Sequence, residues 1–402
     1  MNPAILTYEK RKPVDFFIKR LVFLFLRMRQ KIRLYDGITH ETGHRLRLVH
    51  VGNVHRGRAF IQGLFGHTPQ HQDLGTRFSW SPPSEIPFSW LPCDILLLEA
   101  NRLRAENFRQ AGYFTVPEWV EFGRQVVADP SLRYHGASKS LKSDLNKIRS
   151  SPFTVAISKE RRDFDTFYEN MYLPHVRQRY GDGAIIKGKR ILEKDFRSGF
   201  LFLLGDGRRH IAGALVREEG DVITETTLGV LAGADEVLRM GVSGAIDYHL
   251  LDWAAACNKT YMNVGHTRPF PHDGVFRNKK KWLMTISPDM DGVMDMAIKI
   301  RRFDSTMAAI LRQWPFVFHT DRGLSVFCGH DGSEQAGEKE IDRLVQHHAL
   351  AGLQNLIMIS ATGYKENALS ITGGKHPLDV HLFSDIHQAV AWQLGARTGF
   401  EA

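Results

Sequence analysis

The stretch Asn263-Val-Gly-His-Thr-Arg-Pro-Phe-Pro-His-Asp-Gly-Val-Phe-Arg-Asn-Lys-Lys-Lys-Trp282 decides the reading of this chain. It opens on a strand end, passes through a polar loop and re-enters an apolar segment behind the basic run Arg277, Lys279, Lys280 and Lys281. Cations gathered where a loop returns to the core suit an anion-holding site.

Upstream of it, Phe200 to Leu204, His210 to Arg217 and Val222 to Leu231 are three apolar or β-branched runs separated by Gly205-Asp-Gly207 and Glu219-Gly220-Asp221. Short apolar runs joined by such clusters predict an antiparallel meander. From Ile246 the positions Ile246, Leu250, Trp253, Ala254 and Cys257 recur at helical spacing, and Arg239-Met-Gly-Val-Ser-Gly-Ala245 precedes them. A glycine-rich loop opening a helix leaves backbone N–H groups unpaired at the positive end of the dipole, which suits a phosphate. Arg239, Gly241, Val242, Ser243, Gly244 and Ala245 are therefore the cofactor-binding candidates. The alternative is a capped helix whose glycines serve only the turn. A short strand at Tyr261 to Val264 completes a β-β-β-loop-α-β order.

Asp273, Gly274, Val275, Phe276, Lys279 and Trp282, in that spacing, resemble the terminal motif of Fem-type aminoacyl transferases and their acyl-CoA-using relatives in the GNAT superfamily. Asn278 stands where that motif usually has an aromatic, and Leu238 where its phosphate loop usually has glutamine or arginine. Ser140 to Arg149 resembles the basic helix that opens the catalytic module of this group, and Phe164 to Tyr180 the aromatic helix that follows it. The resemblance covers residues 138 to 300 and implies an α/β (α+β) fold: a GNAT-type mixed, largely antiparallel sheet flanked by helices. Fem-type proteins place a degenerate GNAT-like half first, so residues 37–137 are expected to be that half. No internal repeat is visible in the sequence to support it.

Acyl transfer requires a deprotonated amine, a stabilised carbonyl oxygen and a proton for the leaving group. The resemblance makes Lys279 the leading candidate for binding a phosphate or offsetting negative charge. Asp273 and His272 would orient the amine or hold Lys279, or else cap a turn. Glu225 lies on the strand that borders the acyl carbonyl in GNAT enzymes, where it would be a general base or a solvent-facing acid. His266, Arg268 and Trp282 are the substrate-binding candidates. The implied activity is N-acyl transfer from acyl-CoA or a related thioester to an amine on a small molecule, peptide or protein. Alternatives are Fem-type transfer from aminoacyl-tRNA to a peptidoglycan-type or protein acceptor and a non-catalytic adaptor with a relict core. No heptad-patterned insertion is evident in residues 138 to 300, which disfavours tRNA.

At 402 residues two or three domains are expected, and a 43% hydrophobic content is that of a globular chain. The formal charge of +9 and pI near 9.4 favour polyanionic partners without choosing among nucleotide cofactors, tRNA, phosphorylated precursors and an acidic membrane face; DNA is not expected. Cys93, Cys257 and Cys328 are far apart and odd in number, and His67 and His71 straddle Pro69, so neither a disulfide framework nor a metal is expected, and a cytoplasmic location is.

The expected organisation is a basic amphipathic helix over 1–36, an α/β half over 37–137, the catalytic module over 138–302 and a small α/β module over 303–402. The first reads as a helix because Val14 to Arg33 mixes cations with a Leu21 to Leu26 apolar run too short to span a bilayer. It would lie on an anionic membrane or pack on the protein. In the last module, Phe316 to Phe318 and Leu324 to Cys328 flank a hairpin signal at Thr320 to Gly323. A helix over Glu338 to Leu350, a strand over Asn355 to Ser360 and a final helix around Asp385 to Leu394, capped by Ser384, are expected after it.

Overall fold

A computed structural model of the protein describes residues 29–78, 93–181, 184, 186–330, 338–362 and 378–393. Among these, seventeen strands form three sheets. In chain order they are β1 (Arg29–Ile38), β2 (Arg45–Val51), β3 (His71–Phe78), β4 (Ile95–Asn101), β5 (Phe114–Pro117), β6 (Val120–Gln125), β7 (Thr154–Ser158), β8 (Gly199–Gly205) and β9 (His210–Glu219). Then follow β10 (Val222–Val230), β11 (Tyr261–Thr267), β12 (Thr285–Pro288), β13 (Met294–Ile300), β14 (Phe316–Thr320), β15 (Gly323–His330), β16 (Leu353–Ser360) and β17 (Asp379–Phe383). The helices that matter below are α1 (Val54–Phe65), α2 (Ala105–Gln110), α3 (Lys139–Ser150), α4 (Val242–Ala256), α5 (Gly274–Lys281) and α6 (Glu338–His348).

The central sheet runs β12-β6-β11-β10-β9-β8-β7. Strands β7 to β10 are an antiparallel meander, and β10 then pairs parallel with β11 through the crossover helix α4. This is the GNAT-type order. The meander forms because its apolar runs are bounded by tight turns, and β8 is buried along its whole length because helices cover both faces. On one face α3 and α4 bury Leu141, Leu145, Ile246 and Leu250. On the other lies a helix over residues 161–180 whose middle, Phe167–Tyr172, is wound as a π-helix. Gly213 and Gly229 let that segment approach: a Cβ at Gly229 would stand 2.7 Å from the Tyr172 nitrogen.

The first sheet, β3-β1-β2-β4-β13-β5, has a corresponding order. Here β2 and β4 are the parallel pair and α1 follows β2. The paths β4-α2-β5-β6 and β11-α5-β12-β13 match element by element, and each lends its last strand to the other sheet. Strand β13 enters between β4 and β5, and β6 enters between β11 and β12. Boundaries at 137/138 and 302/303 therefore cut across both sheets: β6 precedes the first yet belongs to the central sheet, and β13 precedes the second yet belongs to the first sheet. The exchange is invisible to local pattern, since β6 and β13 read as ordinary strands wherever they pair.

Two further expectations are corrected. Residues 1–28 of the expected amino-terminal helix lie outside the described residues, but Arg29–Ile38 is a strand. Its residues alternate with a period of two: Ile32 and Leu34 pack against one core cluster, while buried Arg33 and Tyr35 lie on the opposite face, Tyr35 in another cluster. No described helix is long and apolar enough to cross a membrane. At the other end the last helix is Ile386–Gln393, and Asp385, not Ser384, accepts from His387 N at 2.9 Å. The segment Trp80 to Pro92, whose prolines mark it in the sequence as an irregular extended loop, lies wholly outside the described residues.

The carboxyl-terminal sheet, β14-β15-β16-β17, begins with the expected hairpin and continues as parallel strands. It is not a separate bead. Val317 and Val326 join the core of the central sheet, while Phe316 and Phe327 join that of the first. Backbone bonds from Val317 N to Pro269 O and from Ile286 N to Ala351 O, both 2.8 Å, stitch it to the segments around α5.

Candidate active site

Strands β10 and β11 pair only over Val222–Thr224 and Tyr261–Asn263. Just beyond, each shifts register against its outer neighbour, β10 between Glu225 and Thr227 and β11 between Asn263 and His266. Two bulges on adjacent parallel strands part them, and a crevice opens at their carboxyl ends, the usual place for a site in such sheets. Gly265 makes the turn-out of β11 at φ +73°, a left-handed conformation that favours glycine. Its N–H donates to Asn263 Oδ1 at 2.7 Å, and Asn263 Nδ2 donates to Glu121 at 2.5 Å.

Lys279 reaches this crevice from α5. Asp273 caps that helix, its Oδ1 accepting from Val275 N at 2.8 Å and Phe276 N at 3.1 Å, and buried Phe276 locks it edge-on against Phe122. Lys279 Nζ donates to Gly265 O at 2.9 Å and to His266 O at 3.1 Å. An ammonium has three donors, so one remains for the crevice.

Glu225 from β10 and Asp247 from α4 complete the group. Each touches some solvent, yet protein encloses both, as expected for a narrow cleft. Burial raises the Glu225 carboxyl to about 6, with the Lys279 charge opposing. Burial first, and the neighbouring Glu225 charge second, push Asp247 well above the ordinary carboxylate range. Burial lowers Lys279 to about 8 against the pull of Glu225, Asp247, Asp273 and Glu121. Glu225 Oε2 is buried without a geometrically formed hydrogen bond, so the contact with Asp247 leaves an acceptor open. Two acids whose environment drives them to share a proton, beside a lysine that titrates within reach of neutral pH, form an acid–base site.

The sequence candidates divide accordingly. Lys279 and Glu225 meet in the crevice. Asp273 is the helix cap that aims Lys279. His272 faces the carboxyl-terminal module, its ring 6.4 Å from Trp314 and 6.2 Å from His347, and is not in the crevice. His266 is at the rim, 3.5 Å from Asp289 and 4.0 Å from Glu121. Arg268 lies over the Trp119 ring at 3.8 Å and beside Glu118. Trp282 is 2% exposed, so it supports the site from the core and has no open face for substrate.

The glycine segment also differs from expectation. Arg239 ends one short helix, and Val242 to Ala245 are already the first turn of α4. Gly241 sits before that turn at φ +83° with open space where a Cβ would be, and no side chain caps the helix. Val242 and Ala245 are buried, leaving backbone N–H groups and the hydroxyl of half-buried Ser243 as what this turn can offer a ligand. Gly244 serves packing: a Cβ there would lie 2.4 Å from Trp282 Cζ2. Gly244→Ala is therefore expected to cost about 1–3 kcal/mol by overpacking, read as a lowered denaturant midpoint.

Sequence reasoning missed Asp247 and Arg124. Asp247 had a faint signal, a carboxylate early in an otherwise apolar helix directly after a glycine turn. Buried Arg124 on β6 had none; its Nη1 donates to Trp282 O at 3.2 Å, so it braces the end of α5, and its charge weakly opposes the rise at Asp247. In the first sheet the opening equivalent to the crevice is filled. A Cβ at Gly52 would lie 2.7 Å from that of Glu99, which pairs with Arg56 at 3.1 Å.

No protein-family model matches the chain, and no curated protein does. Among solved structures it is similar to L-PGS from Bacillus licheniformis, at 11% identity over 69% of this chain and 87% of that one with a TM-score of 0.33. It is similar also to FemX, at 10% over 67% and 85% with a TM-score of 0.35. A GCN5-related N-acetyltransferase from Sphaerobacter thermophilus gives 11% over 51% and 59% at 0.31. TM-scores of this size leave function to the site's own geometry.

Proposed function

We propose that this protein is an N-acyltransferase that moves an acyl group from an activated carrier, acyl-CoA or a related thioester, to an amine. The observation that supports this reading is the Glu225–Asp247–Lys279 group in the crevice between β10 and β11. The carboxylate of the pair takes a proton from the acceptor ammonium. The freed nitrogen attacks the acyl carbonyl, a C–N bond forms, the nitrogen releases its second proton to solvent, and negative charge collects on the carbonyl oxygen, where the third Lys279 N–H would meet it. The carbon–sulfur bond then breaks, and the departing thiolate takes a proton from Lys279, whose value near 8 is close to that of an ordinary thiol. The proton on the carboxyl pair returns Lys279 to its charged form. On this reading the uncapped first turn of α4 would receive a phosphate of the carrier.

Thermal-shift measurement with CoA, acetyl-CoA, long-chain acyl-CoA and total tRNA tests the donor, because a ligand of the native state raises the melting temperature by mass action. Stabilisation by CoA thioesters is expected. Stabilisation by tRNA alone would transfer the same chemistry to an aminoacyl ester donor, and no shift with any of them would end the transferase reading. Gly241→Val is a poor probe of the phosphate turn, since a β-branched residue at φ +83° strains the backbone whatever the ligand does. Gly241→Asn tolerates that conformation and adds a side chain in the open space.

A further inference from the structure

On the side of α5 away from the crevice, basic groups from three segments converge. Lys280 extends from α5 and donates to the His347 carbonyl at the end of α6. The His347 ring lies 4.9 Å from that of His348 and 6.2 Å from that of His272. Arg277 and Arg343 stand near enough to act on His347, and His348 feels His347, Lys280 and His272. A carboxylate, Glu41, acts on His272. Among the described residues none acts comparably on Lys280, His347 or His348. His348 is 5% exposed, and its Nδ1 is buried with no hydrogen-bond partner, as is Trp314 Nε1 beside His272.

Cations often gather at helix carboxyl ends to meet the dipole. That accounts for Lys280, whose Nζ is on a terminal carbonyl, but not for three imidazoles and Arg277 facing one another. The charge of Arg277 and Lys280 there faces imidazoles and one carboxylate, Glu41 on His272, and the buried Nδ1 of His348 has no partner, a deficit which an anion would relieve. We propose that the junction of α5, α6 and the loop carrying His272 is a binding site for a phosphate group, either free or borne on a nucleotide. Arg277, His272 and His347 would supply donors, and Lys280 the field at its base. This site does not depend on the acyltransferase reading, and its test reads binding and not turnover.

Burial and neighbouring cations lower all three imidazoles below the ordinary 6.5, His348 to about 3, so all are neutral at pH 8, and His272 and His347 are the two that gain protons as pH falls toward 5.5. Each proton gained adds charge toward the anion. Sulfate keeps a fixed double charge over this range, so its affinity isolates the protein's contribution. Calorimetric titration at constant ionic strength is expected to show sulfate binding about tenfold tighter or more at pH 5.5 than at pH 8. The exposed pair Arg277→Gln and His347→Gln should abolish it while leaving the melting temperature within a few degrees. Adenosine 3′,5′-bisphosphate against inorganic phosphate, both at pH 7, separates the sources: a tighter bisphosphate marks a nucleotide-borne group, and equal affinities a free one. Histidine ring resonances in the wild type should move to higher pKa with sulfate present. Absence of saturable binding, binding that the double variant retains, or ring titrations unmoved by sulfate would each overturn the site.

Discussion

Glu225→Gln is expected to lower turnover by about a thousandfold, within the range for loss of a positioned general base. Glutamine keeps the shape and cannot take the amine proton. The wild-type rate should rise with pH through a limb near 6, where the doubly protonated pair gives up the Glu225 proton and keeps the shared one, and fall through a limb near 8 as Lys279 deprotonates. In Glu225→Gln the limb near 6 should disappear, because the carboxyl it reports is gone, while Asp247 keeps the burial that raises it and loses the neighbouring charge. Stability should respond in the opposite sense to activity. The Glu225 carboxyl has a higher value in the fold, about 6, than its ordinary 4.5, so the native state binds the extra proton and loses stability as pH rises from 4.5 through 6. The glutamine variant escapes this and should gain on the order of 1–2 kcal/mol relative to wild type across that window, measured by denaturant unfolding at pH 4 and pH 7. Unchanged turnover in a folded Glu225→Gln protein would remove the base assignment.

Lys279→Ala should lower turnover by roughly a hundredfold or more, as when one preorganised electrostatic stabiliser is removed. Part of that loss would come from the Gly265 and His266 carbonyls, which lose the ammonium that holds the rim of β11. Lys279→Arg separates the contributions. It keeps a charge and can keep the carbonyls, but cannot surrender a proton near neutrality, so the alkaline limb should vanish from the measurable range and turnover should stay low with thioester donors. Lys280→Ala should do much less to turnover, since Lys280 faces α6 and not the crevice. Lys279 also has a linkage signature. Its value in the fold lies below the ordinary 10.5, so wild-type stability should rise with pH from about 8 toward 10.5, and Lys279→Ala should lack that rise. Equal kcat for wild type and Lys279→Ala with a turning-over acceptor would remove the Lys279 assignment.

The sequence by itself determined what depends on neighbours along the chain. The meander was legible because Phe200 to Leu204, His210 to Arg217 and Val222 to Leu231 carry their own turns, and a two-residue period is a local property. The 263–282 stretch likewise placed Lys279 on a basic element following a strand. It did not show that this element is a helix capped by Asp273, nor that Trp282 closes it from the core. Tertiary structure alone decided three things. It put Asp247 against Glu225, since two carboxylates 22 residues apart meet only when a crossover helix returns over a parted strand pair. It exchanged β6 and β13 between the sheets, because a strand's apolar face does not specify which edge will pair with it. And it set the proton affinities: a carboxyl near 6 and a lysine near 8 follow from enclosure in the crevice, a property of the packed fold that no residue type carries alone.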